Sequence, residues 1–508
     1  MAKEQDIGSK TPEFVWQTAA LRLTRDLLDG TDAMRAAGER YMPRRKAEDP
    51  KSYAKRLSGA VLLNQYDRTG GYLTGQVFQK PIKYQEPREG EVRPQEQQAF
   101  WDAFAENVDR QGTNLSMLCS EVFRSGVDDG VVFILADYSS VKVTESGDGS
   151  LYYTGPDGTQ LPKTAEADAA NGWGPYFVII KADQVLELRL ETVKGVRTPV
   201  YFRYREDASR LVGGEWTEVS RVRIFRPDGW EVWEKIKDSA FNLVDSGKLQ
   251  DERGKPLERV PVVWYMPGKV ESTGYTARPA MKDLAWMNAS HWEASADHRE
   301  LMGWVRSPTW LGVRLKGPGD TGAIPFSPGT MVHTDQDGAR LESVGVNPAS
   351  VEKSFADLKK LEDDMSLYGL QMLASVSSSM TATQADIAES ASNSQLKEWV
   401  QKLTDVMENA LMLIALWKGY EEAPALWANT EFRIAFNANL VSQLATMVSS
   451  NQLSRQTLLE TLKLMGVFAD EFKVDDEMKR IEETQQQERQ YNPFLFGNDA
   501  EDREGVQQ

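Results

Sequence analysis

The stretch that most constrains this chain runs from Thr381 to Tyr420, TATQADIAESASNSQLKEWVQKLTDVMENALMLIALWKGY. In its second half Leu396, Trp399, Val400, Leu403, Met407, Ala410, Leu411, Ile414 and Trp417 recur at spacings of three and four, the unbroken apolar face of a helix. That face must be buried. Thr383 followed by Asp386 has the form of a capping box, and Gly419 is a stop signal, so the spacing predicts a helix from about Gln384 to Lys418. At about 1.5 Å per residue it would span roughly 50 Å, which is long for one globular domain. Ser390-Ala391-Ser392-Asn393-Ser394 are poor helix formers whose side chains compete for the backbone, so a bend is expected near Ser392.

With 508 residues, 41% of them hydrophobic, the chain is expected to form more than one structural unit with sizeable cores. Its formal charge of −17 argues against any broad surface that grips nucleic acid or anionic lipid. Cys119 is the one cysteine, which permits no internal disulfide and no thiolate metal cluster; it fits a reducing compartment and reads as a small buried apolar residue. MAKEQDIGSK has no apolar core of the signal-peptide kind, and no apolar run approaches the roughly 20 residues of a membrane span. The expectation is a soluble chain made in the cytoplasm.

From Phe14 to Leu28, Asp32 to Tyr41 and Lys51 to Leu63 the patterns are helical. Arg40, Arg44, Arg45, Lys46, Lys51, Lys55 and Arg56 form a basic cluster that could touch nucleic acid or an acidic partner, diluted by Glu48 and Asp49 into an ordinary solvated surface. Asn64 to Pro81 mixes Gly70, Gly71 and Gly75 with apolar residues, which implies close packing or a turn; no GxxxxGK[ST] phosphate loop exists anywhere in the chain. A helix from Asn114 to Arg124 leads into an apolar strand, Gly130 to Asp137. Without a phosphate loop, Asp137 reads as the end of a buried strand and not as a magnesium ligand.

Residues 140–175 are rich in Gly, Asp, Ser and Thr and read as a loop or flexible hairpin insertion. Strand patterns follow at Phe177–Lys181, Val185–Leu190, Val200–Tyr204, Arg221–Phe225, Trp230–Glu234 and Val260–Trp264, close enough together for a mostly antiparallel sheet. Trp216, Trp230, Trp233 and Trp264 could stack bases or sugars, but on alternating strands they are expected in the core.

Pro279 opens a helix to about Val305 whose stripe, Ala280, Leu284, Met287, His291, Ala294, His298, Leu301 and Val305, suits packing against neighbouring helices. His291 and His298 stand two turns apart, roughly 10 Å, and cannot share a metal ion; with His333 they read as packing histidines. Pro308 to Gly345 reads as a turn-rich subdomain with short extended pieces such as Trp310 to Leu315. Within it Asp335-Gln336-Asp337-Gly338 lacks the later ligands of a calcium loop and reads as a turn. Asn347-Pro348 then starts a helix through about Leu373 with Val351, Phe355, Leu358, Leu361 and Met365 on one side.

The two helices around this subdomain, the polar break Ser375 to Met380 and the long helix follow an order that resembles the portal proteins of tailed bacteriophages. The residues carrying the resemblance are Thr381-Ala382-Thr383, Glu431-Phe432-Arg433-Ile434-Ala435-Phe436-Asn437, and Leu453 to Glu460 with Gly466. Near the front they are Arg68-Thr69 and Gly75 to Pro81. The similarity spans roughly Phe14 to Glu483. It implies an α+β, mainly helical fold with wing, stem, clip and crown regions. The wing would occupy 1–278, a first stem helix 279–306, the clip 307–347, a second stem helix 348–373 and a tunnel loop 374–382. A long bent wing helix and the strand Phe432–Phe436 would lie within 383–437 and a helical crown within 438–490. The end, 491–508, is expected to be disordered, with Phe494-Leu495-Phe496 as a docking anchor.

The resemblance further implies a homo-oligomeric ring, usually of twelve subunits, at the capsid portal vertex of a virion. Double-stranded DNA would pass through its channel during packaging and ejection, with weak sequence-independent contact. The other implied partners are terminase, a capsid or scaffold protein and a head-tail adaptor; no cofactor, metal or catalytic residue is implied. Ser375, Val376, Ser377, Ser378, Ser379, Met380 and Thr381 would form the tunnel loop, which carries no Lys or Arg to hold phosphate. Asp283, Glu293, Asp297, Glu300, Glu362 and Asp363 are the candidate acids of an electronegative channel wall, and Leu396, Trp399, Leu403, Met407, Leu411 and Ile414 the packing face of the long helix. Other classes stay open: a different head-tail structural protein such as an adaptor, a packaging ATPase or nuclease, and a glycan-active enzyme with paired carboxylates.

Overall fold

The computed structural model describes residues 7–85, 93–138, 142–145, 151–154, 160–162, 173–212, 214–236, 239–251, 254–306, 309–313, 337–345, 347–368, 382–430 and 455–464, with isolated positions at 448, 473, 474 and 477–480. The chain divides into Met1–Thr430 and Glu431–Gln508. The architecture is α+β and mainly helical.

Helix α1 (Pro12–Ala20) ends at Leu21, and α2 (Arg22–Leu28) follows at once. The single helix expected over Phe14 to Leu28 is therefore broken. The break lets two apolar stripes face different partners: Phe14 meets Phe133 and Tyr275, while α2 packs on other helices. Helix α3 (Thr31–Ala37) closes in a 3-10 turn, Gly38–Arg40. Helix α4 (Pro50–Gly59) starts at Asp49, whose carboxylate accepts from the backbone of Lys51 and Ser52, and stops short of the expected Leu63. Helix α5 (Gln65–Val77) is capped by Asn64 and contains the three glycines of the front motif. A Cβ at Gly70 would lie 2.7 Å from the Arg124 guanidinium carbon, so close packing, not a turn, explains that glycine. Helix α6 (Gln95–Glu106) precedes α7 (Leu115–Asp129), which runs one turn past the expected Arg124. Its extension is held by Arg124 on Asp128 and Arg25 on Asp129. Gly130 then turns the chain at φ +82°, and a Cβ there would strike the Ala277 carbonyl oxygen at 2.5 Å.

The strands are β1 (Lys83–Tyr84), β2 (Val132–Tyr138), β3 (Lys142–Glu145), β4 (Leu151–Thr154), β5 (Gln160–Pro162), β6 (Pro175–Lys181), β7 (Val185–Val193), β8 (Val196–Val212), β9 (Glu215–Arg226), β10 (Gly229–Ile236), β11 (Asn242–Gly247), β12 (Val262–Tyr265), β13 (Thr309–Val313), β14 (Arg340–Val344) and β15 (Leu426–Trp427). β7 to β11 form an antiparallel meander that takes four of the six expected strands and adds β11; the expected strands Phe177–Lys181 and Val260–Trp264, β6 and β12, flank β2 in a separate sheet. Residues 140–175 hold a small sheet, β3-β4-β5, where only a loop or hairpin was expected. Trp216 is 76% exposed and so is not a core residue. It lies beside the turn joining β8 and β9, beyond the reach of the sheet's packed face.

The core centres on the sheet β12-β2-β6, whose middle strand is buried on both faces from Val132 to Ala136. Phe133 meets Phe14 and Phe202 at 6.0 and 5.8 Å between ring centroids. Gln17, fully buried on α1, donates to the carbonyls of Asp129 and Ala277 and accepts from the Ala277 N–H. One amide thus ties together α1, the end of α7 and the segment entering the next helix.

That helix, α8, spans Lys282–Arg306, and α9 spans Pro348–Tyr368. The long helix α10, Ala382–Lys418, is a continuous 37 residues and starts before the expected Gln384, which puts Thr383 inside the first turn. No break in helical assignment occurs at Ser390 to Ser394. α10 lies across β12, β2 and β6. The Trp417 indole donates to the Ala136 carbonyl at 2.8 Å, and the Tyr265 hydroxyl donates to the Trp399 carbonyl at 3.1 Å. In Glu431–Gln508 the described helix is α11, Arg455–Leu464; the expected strand Phe432–Phe436, most of the expected crown and the tail lie outside the described residues. Among the described residues no helix is long and apolar enough to cross a membrane.

Candidate functional site

The candidate site is the arm made by α8, the β13-β14 hairpin and α9, followed by α10. The first half of α8 is fixed in the body. Ala285, Ala289 and Ala296 are small enough to let α2, α4 and α5 approach, and Trp292 fills the space beneath them, fully buried. Asn288, also fully buried, accepts from the Tyr66 N–H and donates to the Leu63 carbonyl at 2.9 Å each. It satisfies a free N–H in the first turn of α5 and so locks that helix to α8. This buried face is turned away from much of the stripe drawn from sequence, of which Leu284 and His291 are buried while Val305 is 43% exposed.

Further along α8, charge takes over from packing. Arg45 reaches Asp297 at 2.6 Å and Glu300 at 2.8 Å, and Arg56 reaches Asp297 at 3.1 Å and Glu48 at 2.7 Å. The Arg56 guanidinium, 1% exposed, also donates to the Pro43 carbonyl. Its hydrogen bonds hold the Glu48 carboxyl below its ordinary value. Much of the basic cluster is thus turned inward onto α8, and Arg40 likewise pairs with Asp26 at 2.9 Å. The remaining turn of α8 is open: Gly303, Trp304, Val305 and Arg306 are exposed.

α9 returns antiparallel along α8. His291 Nε2 lies 3.2 Å from Glu362 Oε1, and His298 Nδ1 lies 3.0 Å from Ser354 Oγ, so both histidines join the two helices. His333 lies outside the described residues. On the expected apolar side of α9, Met365 is buried, but Phe355 is 61% exposed because α8 alone is too narrow to cover it. The β13-β14 pair carries exposed Leu311 and Leu341 in the register Leu311↔Glu342 and Gly312↔Leu341. The Asp337-Gly338 turn, with Gly338 at φ +75°, lies just before β14.

The candidate channel acids do not form one open strip. At about 100° per residue Asp283, Glu293, Asp297 and Glu300 fall within about 100° of arc on α8. Asp297 and Glu300 are neutralised by Arg45 and Arg56, Asp283 is exposed and Glu293 half-buried. Glu362 faces His291, while Asp363 points to solvent. Ser375 to Thr381 lie outside the described residues. Leu396, Trp399, Leu403, Met407, Leu411 and Ile414 are all buried on α10. Among the described residues no group of three or more His, Cys, Asp or Glu could hold a metal ion.

Sequence reasoning missed α6, whose Phe100 and Trp101 pack with Tyr420, Trp101 also with Tyr84, and whose Phe104 packs with Phe177. Their helical spacing in QEQQAFWDAFAE was the available signal. The acceptors of the basic cluster were also missed, since Arg45 and Asp297 are joined only by the tertiary fold.

A protein-family profile described as "Domain of unknown function (DUF4055)" matches residues 280–418, which is the arm together with α10. No curated protein matches the chain. Among solved structures, the chain is similar to one from the "Virion of native gene transfer agent (GTA) particle", at 11% identity and a TM-score of 0.38, covering 85% of this chain and 98% of that one. It is also similar to a chain of the "Neck of native GTA particle computed with C12 symmetry", at 13% identity and TM-score 0.36, covering 79% and 89%. A third, from the "Neck of empty GTA particle computed with C6 symmetry", has 13% identity and TM-score 0.36 and covers 86% and 99%.

Proposed function

We propose that this chain is a portal-type subunit of a phage-like head-tail machine, acting as a ring that lets double-stranded DNA through a capsid vertex. The observation that carries the reading is the arm: an antiparallel helix pair rooted in the body at one end and tipped by a hairpin at the other. It leads through a polar segment into the 37-residue helix that crosses the body sheet. Trp304, Val305, Leu311, Leu341 and Phe355 stay exposed along it in a single chain, as expected of a surface that neighbouring copies cover.

The role is mechanical and not catalytic. Each phosphate neutralised by Lys or Arg would release counterions and add affinity, and strong affinity would stall moving DNA. A net charge of −17 keeps such contacts few. The pairing of Arg45 and Arg56 with α8 and Glu48 removes two more cations from contact with phosphate. In the ring, Asp283, Glu293 and Asp363 add their negative charge to the lumen potential. Electron micrographs of the purified full-length chain should show rings with a central opening; single subunits at every concentration would overturn the reading. Purified rings should show no ATP hydrolysis above a buffer blank, and turnover that follows the ring through purification would assign the chain to an enzyme class instead.

A further inference from the structure

The groove between α4 and α8 holds about 570 Å³, and its lining includes Lys55, Gly59, Ala296, Arg299, Glu300, Gly303 and Trp304. A Cβ built on Gly59 or on Gly303 meets nothing within 4 Å, so both glycines leave the groove open. Arg299 is anchored by donating to the Gly59 carbonyl at 3.0 Å, and Trp304, 54% exposed, forms an apolar wall. Lys55 is exposed at the rim.

Helical geometry sets this groove apart from α9. At about 100° per residue Ala296, Arg299 and Gly303 face α4, and His291, His298 and Val305 lie roughly 80° to 180° from them around α8. Those histidines are the ones that meet α9. The groove and α9 therefore occupy different faces of α8. On α9 the exposed Phe355 stands one turn after exposed Glu352 and one turn before Lys359, with exposed Asp363 two turns further on. An apolar knob with Glu352 one turn away and Asp363 two turns away complements an aromatic-walled groove that offers Lys55 and Arg299, its Glu300 being paired with Arg45 and its Arg56 with Glu48. Two complementary patches on different faces of one chain make a head-to-tail contact, the kind that closes into a ring when the rotation permits.

We propose that the α4-α8 groove of each subunit receives Phe355 on α9 of the next copy, with Lys55 and Arg299 meeting Glu352 and Asp363. The inference rests on the ring reading and adds to it which two surfaces meet. The full-length double variant Gly303→Cys, Phe355→Cys tests it by oxidation. Native Cys119 is buried, with its thiol pushed up to about 12 by desolvation, so it stays silent. A ladder of covalent multimers on a non-reducing denaturing gel, absent from either single variant, is expected. Rings of the double variant that stay monomeric on the gel overturn the groove assignment and leave the ring reading standing, whereas wild-type chain that forms no rings overturns both. As an independent arm, Phe355→Asp alters an exposed side chain and should keep the wild-type circular dichroism and melting temperature. It should raise the concentration needed for assembly on the order of tenfold or more. Unchanged assembly would contradict the proposal.

Discussion

Arg56, Gln17 and Asp128 are buried polar residues whose partners decide whether they stabilise the chain. Removing Arg56 leaves Glu48, 5% exposed, without its main partner. Arg56→Ala should therefore cost roughly 2–3 kcal/mol in chemical denaturation. Glu48 is held below its ordinary 4.5, so the stability from this pair is complete above that value and is lost as pH falls through the depressed one. A wild-type stability curve that matches Arg56→Ala between pH 5 and 7 would refute the assignment. Asp128 has the opposite sign. Burial raises its carboxyl from 3.8 to about 6, although Arg124 pulls it down. The folded state thus holds the proton more tightly than the unfolded chain, and Asp128 makes stability fall as pH rises from 3.8 to about 6. Asp128→Asn should flatten that decline, measured as denaturation midpoints at several pH values, and an unchanged slope would contradict it.

Among the elements, α10 was the most legible from sequence, because its apolar face repeats for more than five turns and Leu403, Met407, Leu411 and Ile414 all prove buried. Leu403→Asp places a charge at a fully buried position and should destabilise the fold by about 3 kcal/mol or more, abolishing assembly with it. Normal rings from this variant would refute the burial. The meander β7 to β11 was legible through alternation, although β11 was not, because NLVDSG leaves its apolar residues exposed at a sheet edge. The break at Leu21 was hidden because α1 and α2 share a helical period, and only their different partners separate them. Within the arm, sequence marked α8 and α9 but could not orient them. The buried face follows Ala285, Asn288, Ala289, Trp292 and Ala296, chosen by what α2, α4 and α5 present. Nor could it foresee that Arg45, distant in sequence, neutralises Asp297 and Glu300.

The chain as a whole combines a strongly acidic composition, a body built around a buried strand and an arm with uncovered apolar side chains. Its charge predicts weak and sequence-independent DNA contact: binding to the purified assembly should vanish as salt rises through the physiological range, and tight salt-resistant binding would contradict the channel role. Ring closure is the central claim, because without neighbours the exposed residues of the arm and the groove beneath α4 have no purpose in this account. Light scattering on the purified full-length chain tests it most directly. Twelve copies of the 57.1 kDa chain give about 685 kDa, and a stable closed assembly near that mass is the predicted result. A mass of 57.1 kDa that persists at all concentrations would contradict it.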